Sequence, residues 1–245
     1  YKRQKQQQAA IIWHRMVAAC VVQAGRMRME QYKTVLEGGT GEIVEKKSRF
    51  IATVRPVKNE EEALAFLEEM KKKYWDARHN CSAWVIGERR ESMRCSDDGE
   101  PQGTAGKPML DVLLGEELYN TAVVVTRYFG GTLLGTGGLV RAYSKAVQEG
   151  LAASRVITKR HGILTEVGTD YNGVGKLQYL FAQSDIPIMD SVYAEDVRLQ
   201  VLVPAAEAER VKKAVTEATS ARASVTEVKE LYFAVSDGEY LLFDD

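Results

Sequence analysis

The chain has 245 residues, 45% of them hydrophobic and 27% charged, which allows one large or two small domains and excludes wholesale disorder, collagen-like repeats and coiled-coil arrays. Its 33 basic and 34 acidic side chains leave a net charge of −1. Six of the basic residues lie within residues 1–29, which hold no Asp or Glu, so the remainder is mildly acidic and offers no bulk basic field to a nucleic acid. A nucleic-acid partner would have to use a local patch. The three cysteines, Cys20, Cys81 and Cys95, are too few for a disulfide scaffold and fit a reducing compartment.

In chain order, residues 1–30 come first and look unlike the rest. Their apolar patches, Ala9–Trp13 and Met16–Val22, are split by His14 and Arg15. A secretory signal needs one unbroken apolar stretch, and a membrane-spanning helix needs about 20 apolar residues. The segment is expected to be an upstream extension outside the fold, with Met27 or Met29 as the natural start; the alternative is a short amphipathic helix docked elsewhere.

Beyond it the elements alternate. Ile43–Val57 reads as extended with a break at Lys46–Ser48. Asn59 is a good helix N-cap, Glu60–Glu62 and Lys71–Lys73 suit the two ends of the helix dipole, and Leu64, Leu67 and Met70 with Ala63 and Phe66 form the apolar face. Cys81–Gly87 reads as a strand, Ala105–Glu117 contains a helix, Thr121–Phe129 is a β-branched strand and Leu139–Ala153 a helix. After Ser154, Val156–Val167, Tyr171–Ser184, Ile188–Tyr193, Val197–Val203, Ala205–Thr219 and Val225–Val235 spell β-α-β-β-α-β, the ferredoxin-like signature. The expected fold is therefore α+β in two domains, residues 31–154 and 155–245.

Two segments invite chemistry. Asp97–Pro108 is not a P-loop, because Pro101 stands where a glycine is needed and Pro108 where Ser or Thr would hold magnesium. Gly135–Val140 is not a dinucleotide fingerprint, because Val140 replaces the last glycine. Five glycines, Gly130, Gly131, Gly135, Gly137 and Gly138, nevertheless lie between a strand and a helix, where backbone N–H groups and the helix terminus favour an anion. Arg127, Arg141 and Lys107 are the cations expected to converge there. The competing reading is a tight turn with close helix–sheet packing. Asp97, Asp98 and Glu100 either orient these cations, hold a hard cation or form a solvated turn. His79 is a second-rank candidate. With Cys81 and Cys95 it supplies too few ligands for zinc, and Cys81 is expected to be a buried structural thiol. No catalytic residue, metal or cofactor is assigned.

The runs Asp76–Cys81, Ser96–Pro101, Gly103–Pro108, Arg127–Gly131 and Leu134–Tyr143 resemble the IMPACT family, specifically its bacterial YigZ/YvyE branch. The resemblance covers about residues 32–245. Arg78 and Gln102 depart from the family's usual Thr and Ser. It implies a ribosomal protein S5 domain 2-like N-terminal domain and a C-terminal domain similar to the last domain of elongation factor G. It also implies a role in translation, since eukaryotic members regulate translation under amino-acid stress by binding a ribosome-associated activator of a kinase. The expected function is a cytoplasmic, non-enzymatic protein that binds RNA, the ribosome or a translation factor through Lys107, Arg127, Arg141 and the glycine loop. No membrane or DNA-specific signal accompanies it, and the oligomeric state is open. The alternatives are an enzyme on a small phosphorylated or peptide substrate and a protein–protein adaptor.

Overall fold

The computed structural model describes residues 28–244, and the segment read as an extension lies mostly outside the described residues. Its last residues are within them and touch the body. The Met29 carbonyl accepts from the Tyr232 hydroxyl at 3.1 Å, and the Glu30 carbonyl accepts from the His161 amide at 2.9 Å.

The first sheet runs β2-β3-β7-β4-β5 and is antiparallel throughout, built from β2 (Thr40–Glu45), β3 (Ser48–Pro56), β4 (His79–Ile86), β5 (Ser92–Ser96) and β7 (Thr121–Tyr128). Strand periodicity sends alternate side chains to opposite faces. Phe50, Ala52 and Val54 of β3, Cys81, Ala83 and Val85 of β4, and Val123 and Val125 of β7 share one face. Two helices cover it, α2 (Gly106–Gly115) and α3 (Thr136–Ala152), through Met109, Leu113, Tyr143, Ala146 and Val147. Trp84, Ile86, Ala122 and Val124 face the other way, against Ala63, Phe66 and Met70 of α1 (Glu60–Lys73). Asn59 caps α1 by accepting from the Glu62 amide at 2.8 Å. Leu64, assigned above to the apolar face, is instead 47% exposed, because the buried stripe runs through Ala63, Phe66 and Met70.

The second sheet is not legible in the sequence as one unit. It has seven strands and is organised by β8 (Arg155–Thr169), 15 residues long. One edge of β8 pairs first with β1 (Gln31–Glu37), along Arg155–Arg160, and then with β10 (Val197–Pro204), along Gly162–Thr169. The other edge pairs with β11 (Ser224–Ser236), which carries β12 (Glu239–Phe243) outside it. The edges are completed by β6 (Leu118–Tyr119), parallel to β1, and β9 (Ile188–Tyr193) beside β10. Two helices, α4 (Tyr171–Gln183) and α5 (Ala208–Ala218), pack Val174, Leu177, Phe181, Val211 and Val215 onto Val167, Leu199 and Val201. The β-α-β-β-α-β order expected after Ser154 is present, with β12 added at its end. The boundary drawn at residue 155 falls at the start of β8, and the ladder to β1 crosses it. Among the described residues no helix is long and apolar enough to cross a membrane.

Candidate functional site at the glycine loop

The end of the first sheet beside α3 is where the singled-out residues gather. Register makes His79 of β4 and Arg127 of β7 direct cross-strand neighbours, with Phe50 of β3 next in the row. All three project toward the face covered by α2 and α3, because they keep step with Cys81, Val125 and Ala52. The Arg127 guanidinium lies 5.3 Å from the Phe50 ring centroid and 5.7 Å from that of Phe129.

The acidic run threads this row and divides into three separate roles. Asp97 accepts from the backbone N–H groups of Gly103 (2.8 Å), Ala105 (3.0 Å) and Gly106 (2.8 Å). The N-cap of α2, Ala105, has no capping side chain of its own, so Asp97 caps this helix from nine residues upstream. Burial works against its charged form, but the three amide donors outweigh it and hold the carboxyl below its ordinary range. Asp98 accepts from the Asn80 amide at 2.6 Å, and its carbonyl lies 2.8 Å from His79 Nδ1. A carbonyl only accepts, so Nδ1 carries the proton and Nε2 is turned toward Glu100, 4.0 Å away. Glu100 is buried, and its Oε1 accepts from Arg127 Nη1 at 2.5 Å and from the Tyr143 hydroxyl at 2.9 Å. Of the three carboxylates, Glu100 orients an arginine, while Asp97 and Asp98 hold the loop. Among the described residues no group of three or more His, Cys, Asp or Glu side chains is placed to hold a metal ion.

Behind Glu100 the chain of bonds continues into the core. The Cys81 thiol donates to the Asp97 carbonyl at 3.0 Å and lies 3.3 Å from the Tyr143 hydroxyl. Burial, aided by the nearby carboxylates, pushes the Cys81 thiol far up, and burial does the same to the Tyr143 hydroxyl. Neither ionises near neutrality, so Cys81 packs and donates and is no thiolate nucleophile.

In front of Glu100 lies a cavity of about 390 Å³. Arg78, His79, Glu100 and Arg127 supply its polar wall; Pro101, Phe129, Leu133, Leu134 and Leu139 supply its apolar wall. Gly135 and Thr136, at the start of α3, also line it. The Arg127 side chain is only 7% exposed, and its Nε has no hydrogen-bond partner among the described residues. The N-cap of α3 is Gly135 at φ 73°, with no side-chain cap, so the first-turn N–H groups are not satisfied by a capping side chain.

Arg141 does not join Arg127. It lines a second cavity of about 230 Å³ on the other side of Leu134, with Lys46, Lys145 and Glu45. Lys107 is further off, exposed on α2 and paired with Asp111 one turn along. The expectation of one anion site shared by Arg127, Arg141 and Lys107 is thus corrected. The helix carrying Arg141 begins at Thr136 rather than Leu139, so Arg141 stands in the second turn, past the first-turn amides, and lines the second cavity. The glycines also differ from one another. Gly131 has φ +84° and open space around it, whereas Gly130 lies against the backbone of Lys47 and Ser48 and donates its N–H to Ser48 Oγ at 3.1 Å. Gly137 and Gly138 sit in the first turn of α3. Phe129 and Leu133 are not among the residues the sequence singles out; the step of two from Arg127 marks Phe129, but nothing local marks Leu133.

The comparisons with known proteins agree with this architecture. The pattern of the Impact N-terminal domain matches residues 46–151, and that of a domain of unknown function, DUF1949, matches residues 167–222. The chain is 41% identical over 204 residues to IMPACT family member YvyE of Bacillus subtilis, covering 83% of this chain and 94% of that protein. It is 44% identical over 165 residues to IMPACT family member YigZ of Escherichia coli, covering 66% of this chain and 80% of the relative. A solved structure described as a hypothetical protein superposes with a TM-score of 0.53 at 35% identity, covering 82% of this chain and 98% of that one. The chain belongs to the IMPACT family, in its bacterial YigZ/YvyE branch. Eukaryotic kin match over a smaller share of the chain: the Saccharomyces cerevisiae protein IMPACT homolog is 37% identical over 98 residues, 38% of this chain and 37% of that protein.

Proposed function

We propose that this is a cytoplasmic, translation-linked regulatory protein that binds RNA, the ribosome or a ribosome-associated partner through the glycine-loop face of its N-terminal domain. The observation that carries the reading is the uncapped start of α3, flanked by the cavity of Arg78 and Arg127 and by that of Lys46, Arg141 and Lys145. Amide donors and two sets of cations then address anions from one loop, although the chain as a whole is slightly acidic. The family's eukaryotic members support the translation link. The strand order β11-β8-β10-β9, antiparallel throughout, supports a ferredoxin-like C-terminal domain, and the S5-like reading of the first domain rests on the family resemblance. Both folds recur in proteins that touch RNA, which is support by analogy.

A second reading, an enzyme on a small phosphorylated or peptide substrate, is favoured by the placement of His79 Nε2 and Glu100 in the larger cavity. The deciding experiment is co-sedimentation with ribosomes at about 50 mM salt and release at higher salt, with three or four phosphate contacts giving a log–log slope of about −2 to −3 on single strands. Arg141→Ala combined with Lys145→Ala weakens association and leaves the melting temperature unchanged. Absence of any RNA or ribosome association in the parent protein overturns the proposal.

A further inference from the structure

The larger cavity has more specific chemistry than a generic anion patch. Its volume, about 390 Å³, falls within the roughly 300–1,000 Å³ of small-molecule sites. Its lining is rich in donors: the uncapped first turn of α3, the guanidinium of Arg127, whose Nε is buried without a partner among the described residues, and Arg78. Arg127 is more than nine-tenths buried, so its orphaned donor is not compensated by bulk water. Glu100 neutralises only one of the two arginines. Backbone amides and guanidinium forks in this number suit the three terminal oxygens of a phosphate better than the two of a carboxylate.

The rest of the lining is apolar. Phe129 is 47% exposed with the Arg127 guanidinium against its ring, and Leu133, Leu134 and Leu139 complete the wall. A half-exposed aromatic ring beside cations is the arrangement on which bases stack. Leu133, at 82% exposed, sits on the loop at the mouth, where an apolar side chain gains from a ligand that covers it.

We propose that this cavity holds a single nucleotide, its phosphate at the start of α3 beside Arg127 and Arg78 and its base against Phe129. This rests on the RNA-facing reading above and specifies what the loop takes. A free nucleotide and the phosphorylated end of an RNA strand present the same chemistry.

Isothermal titration of the full chain distinguishes these sources. Adenosine 5′-monophosphate is expected to bind with a dissociation constant below about 1 mM, with adenosine and inorganic phosphate each at least about ten-fold weaker. Phe129→Ala and Arg78→Gln, both at accessible positions, each weaken it about ten-fold without changing the melting temperature. A 5′-phosphorylated RNA pentamer that competes with the mononucleotide, where its unphosphorylated form does not, makes the RNA end the source; a lack of competition makes it the free nucleotide. If the pentamer binds but the mononucleotide neither binds nor competes, the nucleotide cavity is refuted and the RNA-facing reading stands. Nucleotide binding without ribosome or RNA association refutes the RNA-facing reading and leaves the nucleotide cavity standing. The assignment is also overturned if inorganic phosphate binds as tightly as the nucleotide, if both folded variants bind like the parent, or if N-acetylphenylalanine, which imitates a protein carboxy-terminus, binds more tightly.

Discussion

His79 and Arg127 stand opposite one another in the ladder between β4 and β7, and Glu100, delivered by a separate loop, reaches both: 2.5 Å from the arginine and 4.0 Å from the imidazole. Strand register alone would leave an imidazole and a guanidinium cation side by side at the mouth of an apolar cavity. The carboxylate neutralises the guanidinium, and the Asp98 carbonyl, by taking the hydrogen bond of Nδ1, leaves Nε2 on the Glu100 side.

Removing Glu100 therefore costs more than one hydrogen bond. Breaking a buried pair from one side leaves an uncompensated charge, at about 3–5 kcal/mol. Glu100→Ala is expected to lower unfolding stability in urea by that amount, whereas Glu100→Ala with Arg127→Met recovers part of it. Equal stabilities for Glu100→Ala and the parent would show that the pair is solvated.

Asp97 gives an acid-side signature. Its carboxyl titrates below the ordinary value of 3.8, so its contribution is complete above that value and is lost as pH falls through the lower folded value. Asp97→Asn keeps the shape but removes the charge that accepts three amides, and is expected to cost about 1–3 kcal/mol at pH 7. Stability measured from pH 7 down to pH 3 should fall less steeply in the variant. Parallel curves would locate the acid sensitivity elsewhere.

The two described thiols should react very differently. Cys95 is exposed and Cys81 is buried, with its thiol pushed far up by burial. Iodoacetamide at pH 8 is expected to label Cys95 in the folded protein and Cys81 only in denaturant, read by peptide mass spectrometry. Labelling of Cys81 at the same rate would reveal opening of the β4 end of the sheet.

Neighbouring glycines separate conformation from contact. Gly131→Ala meets no atom but must adopt a left-handed backbone, at about 1–2 kcal/mol. Gly130→Ala drives a methyl group into the Lys47 backbone and is expected to cost distinctly more. Thermal melts that rank the two variants the other way would refute this origin of the loop's shape.

Much of the first domain is legible in the sequence. Asn59 announces α1, the break at Lys46–Ser48 is the turn between β2 and β3, and the step from His79 to Cys81 puts both on one face. What stays hidden depends on long-range register. Glu100 and Arg127 are both candidates by type, but their pairing spans 27 residues and is set by a loop that Asp97 and Asp98 pin down. Charge suggests Lys107 and Arg141 for the same site, yet Arg141 lines the second cavity and Lys107 pairs locally with Asp111. The ladder along Arg155–Arg160 is hidden too, because its partner, β1, carries too little apolar alternation to announce itself.

The continuity of β8 has a mechanical consequence. Swinging the two halves of the chain apart requires unzipping the β1 ladder along Arg155–Arg160, because no flexible tether replaces it. A partner that grips both the glycine loop and the C-terminal sheet therefore meets two surfaces at a set spacing and angle. For the partner proposed above, the protein would act as a gauge rather than a pair of jaws, favouring a partner whose own geometry already matches.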